Sequence, residues 1–80
     1  MPVVFRHRGY RFFFFSNEGT PREPYIHVRK GGAVAKFWIQ PNVGLADSFG
    51  FSSIELRRLA RLIRERKDLI ERSWHEHFDF

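Results

Sequence analysis

The sequence predicts an α+β fold: a small antiparallel sheet of three to four strands, in β-β-β-β-α order, packed against one long C-terminal helix. Residues 1–40 alternate apolar and polar side chains in short runs separated by turn formers. Residues 52–78 instead follow the 3.6-residue period, with no Gly or Pro between 53 and 80. Eighty residues make a single domain near the lower limit for a chain that folds without a metal, disulfide or partner. The expected division is 1–40 sheet, 41–51 connection and 52–78 helix.

Val3 to Arg6 reads as the first strand, and His7-Arg8-Gly9 turns the chain into Tyr10 to Phe15. Side chains alternate between the faces of a strand, so Tyr10, Phe12 and Phe14 share one face, and Arg11, Phe13 and Phe15 the other. This strand is aromatic on both sides, which is more than one small core is expected to cover. Ser16 to Pro24 is dense in turn formers and reads as a loop. Tyr25 to Arg29 places Tyr25, His27 and Arg29 on one face, with Ile26 and Val28 on the other. Lys30-Gly31-Gly32 closes a hairpin into Ala33 to Ile39, where Ala33, Ala35, Phe37 and Ile39 share a face.

The helix start is the best-marked local event. Ser52 and Glu55 fit a capping box, with Phe51 and Leu56 placed for the accompanying hydrophobic staple. Leu56, Leu59, Ile63, Ile70, Trp74 and Phe78 then form the apolar stripe, interrupted at Lys67. About 25 helical residues make a rod of roughly 37 Å, whereas strands of this length span about 17–20 Å. Such a rod must overhang the sheet, bend, or pack on another subunit. With the two-sided aromatic strand, this predicts a homodimer.

Composition excludes several classes. Cysteine is absent, so there is no disulfide framework or thiol chemistry. The N-terminal residues lack the pattern of a secretion signal, and no apolar run approaches the roughly 20 residues that span a bilayer. A cytoplasmic protein without a membrane partner is the expectation. No phosphate-binding loop, dinucleotide fingerprint or nucleophile elbow occurs, so no cofactor is expected.

Net charge is +5. Residues 1–51 hold seven Arg/Lys against three Asp/Glu, and residues 52–80 hold seven against six, so the excess lies in the sheet half. Arg6, Arg8, Arg11, Arg22, Lys30 and Lys36 are the candidates for binding phosphate or nucleic acid. His27 with Arg29 is the candidate catalytic pair, because histidine exchanges protons near neutrality and arginine holds a phosphate. The plainer reading of His27 is an edge-strand histidine with a local partner. Tyr25, His75 and Glu76 are candidate supporting residues. His75 and His77 lie two apart, about 200° around a helix, and so do not form the i, i+4 metal pair. Trp74 and Phe78 read as core anchors. Tyr10, Tyr25 and Trp38 are placed to stack bases on an open sheet face.

The run Gly9-Tyr10-Arg11-Phe12-Phe13-Phe14-Phe15-Ser16-Asn17-Glu18-Gly19 is joined by Pro24, His27-Val28, Ala35-Lys36-Phe37-Trp38, Gly50-Phe51-Ser52 and Trp74-His75-Glu76-His77-Phe78. Together these segments resemble the small bacterial proteins of domain-of-unknown-function family 4160. Members usually carry a Pro-Pro-His-x-His run before the third strand. Here Pro24-Tyr25-Ile26-His27 puts Tyr25 at the first of those histidines, which breaks up a two-histidine arrangement. The family has no established activity. Its genes often stand beside another short uncharacterised family, an organisation similar to toxin–antitoxin pairs. The resemblance thus implies a small cognate protein partner and an RNA-directed role.

The residues leave two functions open. One is a toxin-like protein that binds or cleaves RNA through His27 and Arg29. The other is a non-enzymatic interaction module, an antitoxin or adaptor, that uses the aromatic strand and the long helix. A metal-dependent enzyme is the weakest reading.

Overall fold

The computed structural model describes residues 3–15 and 23–78. The alternating runs form strands β1 (Val3–His7), β2 (Tyr10–Phe13), β3 (Tyr25–Lys30) and β4 (Ala33–Trp38), close to the expected bounds. A further strand, β5 (Gly44–Phe49), lies in the stretch expected to be a connection. The described residues thus make a five-stranded antiparallel meander in the order β1-β2-β3-β4-β5, not a sheet of three or four strands. Gly44, Ala46 and Asp47 are poor strand formers, and Leu45, Ala46, Asp47 and Phe49 stay exposed. Pairing with β4 makes this strand, with a register shift opposite Lys36 and Phe37. An irregular edge strand carrying a charge is a common protection against edge-to-edge association.

The sequence predicts one rod over 52–78, but the chain forms α1 (Ser53–Glu65) and α2 (Lys67–Phe78), which part at Arg66. Arg66 has φ −107° and ψ 16°, and its N–H is shared between the carbonyls of Leu62 and Ile63. The break falls where Arg66 and Lys67 occupy the positions between the Ile63 and Ile70 anchors. Neither is buried. The guanidinium of Arg66 lies 5.3 Å from the Phe5 ring centroid, and Lys67 Nζ donates to the carbonyl of Pro41 at 3.4 Å. Of the three ways to reconcile a long rod with a short sheet, the chain bends. Its length then no longer requires a second subunit.

Both helices cover one sheet face. Leu59 and Ile63 of α1 and Ile70 and Trp74 of α2 pack with Phe12, Phe14, Ile26, Val28, Ala35, Phe37 and Ile39. The faces separated by alternation in the sequence match those observed in β2, β3 and β4, except that Tyr25, expected on the face of His27 and Arg29, is buried with this core. Trp74 is the largest buried side chain, edge-on to Phe14 at 5.2 Å and to Tyr25 at 4.8 Å between ring centroids. On the opposite side of β2, Phe13 is also buried, against Phe15 and His27 of the same chain. The two-sided aromatic strand is thus largely satisfied within one chain.

The α1 start has the expected capping box. Ser52 Oγ accepts from the Glu55 N–H, and Glu55 Oε1 accepts from the Ser52 N–H, each at 3.1 Å. Gly50, two residues earlier, has φ +88°. A Cβ there would lie 3.0 Å from Ala33 Cβ and 3.1 Å from Ala33 Cα, at the start of β4. Backbone strain and the clash act together, so Gly50→Ala is expected to destabilise by about 2–4 kcal/mol in urea unfolding. A change within about 0.5 kcal/mol would contradict this close approach.

Candidate nucleic-acid interface

Strand register sorts the candidate residues. Directly paired residues on neighbouring antiparallel strands present their side chains on the same face. One such row runs Arg6–Arg11–Arg29–Val34–Phe49 across all five strands. The next runs Phe13–His27–Lys36–Asp47, and a third Tyr25–Trp38–Gly44. By alternation all three rows fall on the face opposite the helices, but the Tyr25 ring at the end of β3 is buried against Trp74 of α2. The structure therefore gathers Arg6, Arg11, His27, Arg29 and Lys36 on a single open surface, and Tyr25 behind it.

Arg6, Arg11 and Arg29 are exposed and laterally adjacent. Like charges directly opposite one another in a ladder are destabilising, by about 0.2–1 kcal/mol per pair. Among the described residues no acidic side chain is ion-paired with this row: the ion pair found there is Arg61–Glu65, on α1. Beside the row is a concavity of about 320 Å³, lined by Phe13, Phe15, His27, Arg29, Val34, Lys36, Asp47 and Phe49 among others. Phe49 is 72% exposed.

His27 forms one wall of this concavity and is half-buried. Its ring lies 4.3 Å from Phe15, 5.1 Å from Tyr25 and 5.7 Å from Phe13 between centroids. Lys36 Nζ sits over the rings of Trp38 and Tyr25, at 4.6 and 4.7 Å. The site is thus cationic along one edge and aromatic beside it. Tyr25 is buried and touches both His27 and Trp74, so its ring supports the wall rather than offering a stacking surface.

The other candidates fall elsewhere. Arg8 and Lys30 line a separate pocket on the helix side, with His7 and Tyr10. His75 and Glu76 are exposed on α2 and do not line the concavity around His27. Arg22 lies outside the described residues, as does most of the expected 16–24 loop. No group of three or more metal-ligating side chains occurs among the described residues. No helix among them is long and apolar enough to cross a membrane. Asp47 and Phe49 join the concavity through β5, a strand that the composition of residues 44–49 does not signal.

Tyr10 is turned to the helix face. Its hydroxyl donates to Glu55 Oε2 at 3.0 Å, tying the β1–β2 end of the sheet to the start of α1. The Ser52 N–H, together with the Tyr10 hydroxyl and the nearby Lys30 charge, holds the Glu55 carboxyl below its ordinary range. Burial, and then the bond to Glu55, raise the Tyr10 hydroxyl above its own.

Residues 9–75 match the family model described as a domain of unknown function, DUF4160. The chain belongs to this family. The DUF4160 match includes Arg11, Tyr25, His27, Arg29, Lys30, Lys36 and His75, and leaves Arg6, Arg8 and Glu76 outside its bounds. No curated protein and no solved structure gives a significant match to the chain.

Proposed function

We propose that this DUF4160 protein binds single-stranded RNA across the open face of its sheet. The Arg6–Arg11–Arg29 row is the observation that carries this reading. Three exposed, adjacent arginines cost the fold stability and have no acidic neighbour in the ladder, an arrangement suited to a polyanion. The aromatic groups beside the row argue for unpaired bases over a duplex. Phe49, Phe15 and Trp38 are exposed or half-buried next to the cations. Base–aromatic stacking contributes about 1–3 kcal/mol per base and needs bases free of a partner strand. The toxin–antitoxin-like gene organisation implied by the DUF4160 resemblance fits an RNA-directed role, and equally a small protein partner.

In this reading His27 is a wall of the base-binding surface, enclosed by Phe13, Phe15 and Tyr25, and not a proton shuttle. Fluorescence anisotropy with a short unstructured RNA and with the duplex of the same sequence tests the proposal. The single strand is expected to bind several-fold tighter and to remain intact. Equal binding of both forms would remove the role of the aromatic residues. Binding of neither would overturn the proposal and favour a protein partner. RNA cleavage that is lost in His27→Ala would overturn the assignment of His27.

A further inference from the structure

We infer that the pocket between the β1–β2 turn and α1 is a binding site for a phosphate monoester. It is a concavity of about 290 Å³ on the helix side of the sheet end, away from the open face, and Arg8, Lys30 and Arg58 line it with Tyr10 and Glu55. Three cations thus meet one carboxylate, and that carboxylate is already engaged. Glu55 Oε2 accepts from the Tyr10 hydroxyl, and Oε1 from the Ser52 N–H. Lys30 Nζ stands 4.6 Å from the Tyr10 ring centroid. Neither Arg8, Lys30 nor Arg58 forms an ion pair among the described residues.

The turn adds a second, independent observation. Arg8 has φ +50° and Gly9 φ +87°, so both central residues of this two-residue hairpin are left-handed. Asn, Asp or Gly ordinarily fills such positions. Arg8 is the non-glycine residue with positive φ among those described, and its side chain lines the pocket. Residues held at such backbone positions cluster at ligand-binding sites, and here the residue so held is a cation that lines the pocket. A dianionic phosphate matches the clustered cations better than a diester, which carries a single charge. Arg supplies paired N–H donors to its oxygens, and Lys a point charge.

Such a group is present at the 5′ end of an RNA and in a free mononucleotide. The RNA source rests on the proposed function; the mononucleotide source does not. The experiment compares a 5′-phosphorylated oligonucleotide, its 5′-hydroxyl counterpart and adenosine monophosphate, on the wild type and on Arg8→Asn and Arg58→Gln. Asn tolerates the left-handed turn, so Arg8→Asn keeps the hairpin while removing the cation. The 5′-phosphate is expected to tighten RNA binding at least about tenfold, and both variants to abolish the gain. Adenosine monophosphate binding that both variants remove, with no 5′-phosphate effect on RNA, would support the pocket with the free nucleotide as its ligand. That outcome also separates a failure of the RNA reading from a failure of the pocket. The inference is overturned if neither the 5′-phosphate nor adenosine monophosphate is distinguished, or if both folded variants retain full phosphate binding.

Discussion

Replacing Trp74 with alanine is expected to destabilise the protein by about 3–5 kcal/mol. Trp74 is buried, and its ring meets Phe14, Tyr25 and Phe78 at centroid distances of 5.2, 4.8 and 4.2 Å. Removing the indole leaves a cavity where α2, β2 and β3 converge, with large, stiff rings that cannot readily collapse into it. A domain of 80 residues has a total stability of roughly 4–12 kcal/mol. The variant is therefore expected to be largely unfolded near physiological temperature, or to unfold at much lower urea. Trp74→Phe retains part of the ring contact and is expected to cost less. Urea unfolding followed by far-ultraviolet circular dichroism reads both. A loss below about 1 kcal/mol for the alanine variant would mean that α2 does not anchor the sheet through this residue.

The second large effect concerns binding. Arg11 and Arg29 are directly paired on β2 and β3, and both are exposed. Each contact from an exposed arginine to a phosphate is estimated at about 1–1.5 kcal/mol after solvent screening. The double variant Arg11→Ala/Arg29→Ala is then expected to lose roughly 30- to 150-fold in affinity for single-stranded RNA. Stability should not fall in parallel, because the change also removes like-charge repulsion across the ladder. This combination separates a binding role from a structural one: weaker RNA binding with unchanged or slightly higher resistance to urea.

Much of this arrangement was legible in the chain. Alternation in 10–15, 25–29 and 33–39 identifies the core face, and Ser52 with Glu55 marks the helix start. The sequence places turns at His7-Arg8-Gly9 and Lys30-Gly31-Gly32; in the structure they narrow to the two-residue turns Arg8-Gly9 and Gly31-Gly32, and turns of that length set Arg6 opposite Arg11 and His27 opposite Lys36. The pairing of Arg11 with Arg29 could not be derived this way, because a long connection separates β2 from β3 and imposes no register. That pairing completes the arginine row. β5 was hidden because Gly44, Ala46 and Asp47 lack strand propensity, and its ladder with β4 makes it a strand. Arg58 was missed for another reason. Among Arg57, Arg61 and Arg64 on α1 it looks like part of a solvated helix face until the β1–β2 turn is placed beside it.

The salt dependence of RNA binding decides whether the open sheet face is the surface used. Each phosphate contact with a single strand contributes about 0.7 to the slope of log affinity against log salt concentration. Arg11→Ala/Arg29→Ala is expected to lower that slope by about 1.4 relative to the wild type. Arg57→Ala/Arg64→Ala removes the same charge from exposed positions on α1 and is expected to leave the slope nearly unchanged. Equal losses in the two double variants would show that only net charge matters. A loss confined to the α1 variant would place the RNA on the helices and contradict binding at the sheet.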